Sequence, residues 1–189
     1  EAIDYYEKAI NLNKDFVEAL VNIGCAKRLL NKSNEAIEFF KKVIKLKPNH
    51  AEAYNFLGVA YYDIGNKEEA LENLKIAIKI KPNYAEAYNH LGVVLRKFTR
   101  FDESLASYNK SIELNPNKEE VYNNLGGLYN NLGKFNEATQ AYKKAIEIKP
   151  DYALVHSNLL FNINCKQDFD PQEYLREAKN FRINCKPKK

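Results

Sequence analysis

Apolar side chains recur three and four positions apart in short blocks along most of this chain, and each block is closed by a polar or glycine-bearing step. The stretch AEAYNFLGVAYYDIGNKEEALENLKIAIKIKPN, which starts at Ala51, shows the pattern most clearly. Tyr54, Leu57, Tyr61 and Ile64 fall at helical spacing in its first half, and Ala70, Leu74, Ala77 and Ile78 do so in its second. Between them IGNKEE supplies a glycine and polar residues suited to a tight turn. The closing proline lacks the N–H a continuing helix would use, so the second helix must stop there. The pattern predicts two antiparallel amphipathic helices and no strand.

The same pair repeats. Gly24, Gly58, Gly92 and Gly126 are spaced by 34 residues, as are Pro48, Pro82, Pro116 and Pro150. Ile23, Leu57, Leu91, Leu125 and Leu159 keep that step, as do Ala2, Ala36, Ala70, Ser104 and Ala138, and Ala9, Val43, Ala77, Ser111 and Ala145. Such a fixed period is the signature of stacked helix pairs. Complete units are expected at 17–50, 51–84, 85–118 and 119–152. Asn49, Asn83, Asn117 and Asp151 sit where N-caps belong, with Glu52, Glu86 and Glu120 three residues on as capping-box partners. Gly58 is expected to face Ala70 and Ala77, letting the two helices approach closely.

Aromatic, Leu-Gly, Tyr, then Ala, aromatic, Ala and Pro over 34 residues resembles the tetratricopeptide repeat (TPR) family from Glu1 to about Cys165. The resemblance implies an all-α solenoid, a right-handed superhelix of antiparallel helix pairs with first helices lining a concave groove. Three segments follow: residues 1–16 as the second helix of a truncated repeat, 17–152 as four complete units, and 153–189 as divergent capping helices with a basic tail. Half a unit at the start is expected of a piece of a longer array. Its uncovered Ala2, Tyr5, Tyr6 and Ala9 predict end-to-end self-association.

The first-helix face that the family presents to its groove carries many amides. Unit position 5 holds Asn55, Asn89 and Asn123, and position 6 holds Asn22, Phe56, His90, Asn124 and Asn158. Tyr62, Arg96, Lys97 and Asn131 complete the candidate peptide-binding set at its far end. An amide offers donors and an acceptor together, so a ladder of them can pair with the N–H and C=O of an extended polypeptide. The plainer reading is that these amides contact water or cap neighbours.

Composition narrows the function classes. The chain is 45% hydrophobic and 29% charged, with a net charge of +4 from 29 basic and 25 acidic residues. This small, dispersed excess argues against nucleic acid, and no apolar run reaches the roughly 18 residues of a membrane span. Cys25, Cys165 and Cys185 form no CxxC pair and read as free thiols of a reducing, cytoplasmic setting. His50, His90 and His156 fall in separate units without a helix-spaced partner, so neither a metal nor another cofactor is expected. No nucleophile–base or paired-carboxylate constellation stands out, and no enzymatic activity is expected within these residues.

The repeat breaks at HSNLLFNINCKQDFD. Leu160 replaces the close-packing glycine, Pro171 predicts a helix start, and QEYLREAKNFRI reads as a divergent cap whose KPKK tail is solvated. HSNLLF, a short loop, an acidic-Pro step and a helix with a late aromatic resemble the junction in bacterial SPINDLY-type O-linked N-acetylglucosamine transferases. That resemblance implies a substrate-recognition arm, with the catalytic domain beyond Lys189. The family's position-6 asparagines map onto Asn22, Asn124 and Asn158, while Phe56 and His90 depart from it. The alternative is a stand-alone adaptor that assembles a protein complex.

Overall fold

The computed structural model describes residues 16–185, and among them are ten α-helices and no strand. They are α1 (Val17–Leu29), α2 (Ser33–Leu46), α3 (Ala51–Asp63), α4 (Lys67–Ile80), α5 (Ala85–Lys97), α6 (Phe101–Leu114), α7 (Glu119–Asn131), α8 (Phe135–Ile148), α9 (Ala153–Asn164) and α10 (Pro171–Asn184). The chain forms two compact units, Glu1–Phe98 and Thr99–Lys189. The expected association through Ala2, Tyr5, Tyr6 and Ala9 falls outside the described residues.

Helix starts follow one rule. Pro48 and Pro150 open turns in which the carbonyl of Lys47 accepts from the His50 N–H (3.1 Å) and that of Lys149 from the Tyr152 N–H (3.2 Å). Asn49 and Asp151 are thus spent inside the turn, and the N-cap position falls one residue later than expected, on His50, Tyr84, Lys118 and Tyr152. His50 caps α3 with its ring, Nδ1 accepting from the Ala53 N–H at 3.2 Å. Tyr84 instead buries its ring beside Ala51, Ala77 and Ala87, so packing takes the place of a side-chain cap.

The turns within helix pairs share a different constraint. Asn31, Gly65, Thr99 and Gly133, again 34 apart, all adopt positive φ, at 58°, 87°, 57° and 68°. Glycine and asparagine accept this conformation readily, whereas a β-branched threonine is strained in it.

In the first unit, α1 to α5 pack in chain order, and α3 also touches α1 and α5. Ala36, Ile37 and Phe40 of α2 meet Leu57 and Ala60 of α3, and Ala70 and Leu74 of α4 meet Leu91, Val94 and Leu95 of α5. Each fully buried Leu or Phe contributes roughly 1.5–3 kcal/mol. The helical glycines make room for rings and branches of the partner helix. A Cβ on Gly24 would lie 2.5 Å from the Phe40 ring, and one on Gly58 2.8 Å from Leu74 and 3.1 Å from the Ala70 carbonyl. Leu74, rather than Ala77, is what Gly58 accommodates.

In the second unit Tyr142 of α8 fills the space above Gly126 of α7, where a Cβ would stand 2.6 Å from its ring. Ala138, Tyr142 and Ala145 then pack on Val155, Leu159 and Ile163 of α9. Helix α10 packs on α9. Pro171 opens it with Asp170 as N-cap, accepting from the Gln172 N–H at 2.8 Å. Phe181 stacks on the buried His156 ring with centroids 5.5 Å apart. Around them Lys143 and Lys166 hold Glu173 at 2.8 and 3.1 Å, and Lys143 lies 3.6 Å from the buried Glu177.

Candidate functional site

Within each compact unit, successive first helices touch through side chains 35 residues apart, one more than the repeat period. In the first unit Asn55 of α3 and His90 of α5 meet at 2.8 Å between Oδ1 and Nδ1. Because an amide oxygen can only accept, His90 carries its proton on Nδ1. The amide N–H of Asn55 donates to the Tyr84 hydroxyl at 3.3 Å. Asn55 has no exposed surface, so its polar atoms are satisfied inside the protein. Burial chiefly pushes the Tyr84 hydroxyl above its usual range; the Glu86 and Glu52 carboxylates add to this, and the Asn55 bond opposes it.

The same spacing recurs at the other end of these helices. Arg28 of α1 meets Asp63 of α3 at 3.4 Å, and Ser33 donates to the same carboxylate at 3.4 Å. A cavity of about 590 Å³ opens beside them, lined by Arg28, Asn31, Lys32, Glu35 and Asp63 among others. Tyr62 is half-buried, and its hydroxyl is shifted upward by burial, with Arg96 opposing and Asp63 reinforcing the shift.

In the second unit the amide N–H of Asn158 on α9 donates to Oδ1 of Asn123 on α7 at 2.9 Å, again 35 residues apart. Both side chains are half-buried. The bond leaves N–H donors on Asn123 and the carbonyl acceptor on Asn158, a complementary couple for a main-chain amide.

Asn55 and Asn89, at 0% and 3% exposure, lie beneath the surface. At position 5 Asn123 is half-buried and Ser157 exposed, so burial there is confined to Asn55 and Asn89. Phe56 is half-buried and stacks on Phe40 at 5.7 Å, so its ring is partly spent on the core. His90, Asn123, Asn124, Asn158, Tyr62 and Arg96 are half-buried, and Asn22, Lys97 and Asn131 are exposed. The structure brings together Asn55 with His90 and Asn123 with Asn158.

Sequence reasoning missed Tyr84 as the buried anchor of Asn55, and Asp63 as the group that gathers Arg28 and Ser33. The signal for Asp63 was present: it follows from reading position 12 of one unit, Arg28, against position 13 of the next. Asn162 was missed as well. Buried on α9, it donates to the Phe135 carbonyl at 2.9 Å and to Thr139 Oγ1 at 2.7 Å, tying α9 to α8.

Among the described residues no group of His, Cys, Asp or Glu could hold a metal ion, and no helix is long and apolar enough to cross a membrane. The chain matches the TPR repeat model over residues 26–65, 58–97 and 100–133, and the tetratricopeptide repeat model over 119–152, together more than half its length. No curated protein sequence matches it. Among solved structures, MamA is 28% identical with a TM-score of 0.71, the match covering 89% of this chain and 91% of MamA. A thermophilic TPR protein of Thermus thermophilus is 25% identical with a TM-score of 0.79, covering 86% of this chain and 89% of that one. YrrB, described as a TPR protein with an unusual peptide-binding site, shares the fold at 23% identity and a TM-score of 0.64, covering 94% and 91%. Helix pairs, period and family models thus agree: the chain belongs to the tetratricopeptide repeat family, whose members serve protein–protein and peptide binding.

Proposed function

We propose that this chain binds extended polypeptide segments along its first-helix face, using side-chain amides that neighbouring units hold in place. The observation that carries the reading is the Asn123–Asn158 bond, which fixes a donor and an acceptor side by side at the surface. A fixed amide couple loses less rotamer entropy on binding than two independent side chains. His90 contributes in the same way through its bond to Asn55. Asn22, Arg96 and Lys97 in the first compact unit, and Asn124 and Asn131 in the second, are further contacts. The three free thiols fit a cytoplasmic setting.

Within this reading the chain is the substrate-recognition arm of an O-linked N-acetylglucosamine transferase-like protein. The support is the HSNLLF junction and the Pro171 helix that follows it. No catalytic domain is evident among the described residues, so sugar transfer would reside elsewhere in such a protein. Expressing the reading frame on both sides of Glu1–Lys189 and assaying sugar transfer to a protein substrate tests this; a longer product without transferase activity removes it.

A stand-alone adaptor is the second reading. It is favoured by the way this fold accounts for 91% of MamA and 89% of the Thermus protein. Peptide binding without any linked transferase is its expected outcome. A panel of unstructured peptides titrated against the chain tests the shared premise, and no saturable binding would remove both readings.

A further inference from the structure

The face that carries the Asn123–Asn158 pair also carries two uncovered apolar side chains. Leu154 is 56% and Phe161 67% exposed. They stand four residues before and three residues after Asn158, which places all three in one stripe on α9. Seven residues of helix set the two apolar groups roughly 10 Å apart. Where α9 has Leu154, the preceding units have Glu52, Glu86 and Glu120.

Negative charge gathers at the Leu154 end. Glu119 and Glu120 open α7, and both raise the hydroxyl pKa of Tyr152, the residue two before Leu154, after the larger effect of burial. Lys149 lies 3.7 Å from Glu119, while among the described residues no basic side chain pairs with Glu120. At the Phe161 end the face is neutral, with Asn131, Asn164 and Cys165.

We infer that this stripe takes an extended segment bearing two apolar side chains three residues apart, with basic residues beside the one seated on Leu154. The inference rests on the peptide-binding reading and names the class of peptide. In polyproline-II geometry, residues i and i+3 share a face at about 9 Å, which matches the separation of the two apolar groups. The amide couple between them selects an extended chain, because a helical partner has already used its main-chain donors and acceptors. Basic residues complement the carboxylate of Glu120.

Fluorescence anisotropy with three labelled synthetic peptides tests this. One contains Lys-Lys-Leu-Ser-Ser-Phe, in both chain directions; in the second Ser replaces both apolar residues; in the third Glu replaces both lysines. Saturable binding of the first alone is expected. Phe161→Ser and Leu154→Ser should each weaken it by about tenfold, since an exposed anchor gains most of its burial on binding. Both variants alter exposed positions, so unchanged circular-dichroism melts accompany the expected result. Binding that Phe161→Ser and Leu154→Ser leave intact overturns this inference while peptide binding itself stands. Equal binding of the Glu peptide overturns the basic preference, and tighter binding of a helical peptide with Leu and Phe seven residues apart overturns the extended occupant. If no peptide of any composition binds, the peptide-binding reading falls with it.

Discussion

Asn158 donates an amide hydrogen to Asn123 at 2.9 Å, although the two residues stand 35 apart in sequence and on different helix pairs. The bond sits at the surface, yet it fixes the orientation of both amides. Its value should therefore show in ligand affinity more than in stability. Asn123→Ala and Asn158→Ala, each alone and together, are expected to shift the melting temperature little and to share a coupling energy of about 0.5–1 kcal/mol. Affinity for extended peptides should fall in all three. A double-mutant cycle in binding, read by calorimetry, checks this; strictly additive losses would show that the amides act separately.

Asn55 should behave in the opposite way. Its amide is buried and serves Tyr84 and His90 at once. Asn55→Ala leaves the Tyr84 hydroxyl and the His90 ring without that partner, at a cost of about 1–3 kcal/mol. Urea unfolding should register the loss. A variant as stable as wild type would mean that water takes over both bonds.

Gly126→Ala places a methyl carbon 2.6 Å from the Tyr142 ring, whose hydroxyl accepts from Asn130 at 3.2 Å. The ring cannot retreat without giving up that bond and its packing on Leu159, so a loss of about 1–3 kcal/mol is expected. A thermal melt of the variant measures it, and an unchanged midpoint would show that the two helices can separate at no cost.

Thr99→Gly should stabilise. Relief of the left-handed strain, about 1–2 kcal/mol, is partly offset by the greater chain entropy of glycine, leaving a gain of about 0.5–1 kcal/mol. The same measurement on Gly65→Thr should show a loss, since Gly65 occupies the equivalent turn with φ of 87°.

Acid should loosen the docking of α10. Hydrogen bonding by Lys143 chiefly, and also by Lys166, holds the Glu173 carboxyl below its usual range, against the opposing effect of burial. Its folded pKa lies below the unfolded value, about 4.3 for a free Glu. The stabilisation is thus complete above that value and is lost as pH falls through the folded pKa. Wild type should exceed Glu173→Gln in unfolding free energy at pH 7, and the gap should close on acidification. A gap independent of pH would assign Glu173 a packing role.

The helix pairs were legible because period, proline and apolar spacing all report on the same local geometry. Tyr54, Leu57 and Tyr61 can share a face only on a helix. The cap positions were misplaced by one residue because Lys47-Pro48-Asn49-His50 is a turn first and a helix entry second. For the candidate peptide-binding residues, the columns alone did not reveal burial. Column by column, Asn55 and Asn123 look alike, yet Asn55 is sealed beneath its neighbours while Asn123 remains half-buried. That difference depends on what stands 29 and 35 residues away, Tyr84 and His90 in one case and Asn158 in the other. No single column contains it.

The offset of one residue between period and lateral bond has a consequence for how such an array can grow. The unit at 51–84 supplies Asn55 to one such bond and the unit at 119–152 supplies Asn123 to another, so a duplicated unit must be able to shake hands with its own copy. The unit at 119–152 satisfies this, since Asn123 at the first position would meet a second Asn124 at the next. The unit at 51–84 does not, because a duplicated Phe56 would face the amide of Asn55. Gene duplication should therefore have spread amide-bearing units more readily than aromatic ones, and an engineer lengthening this chain would copy the former.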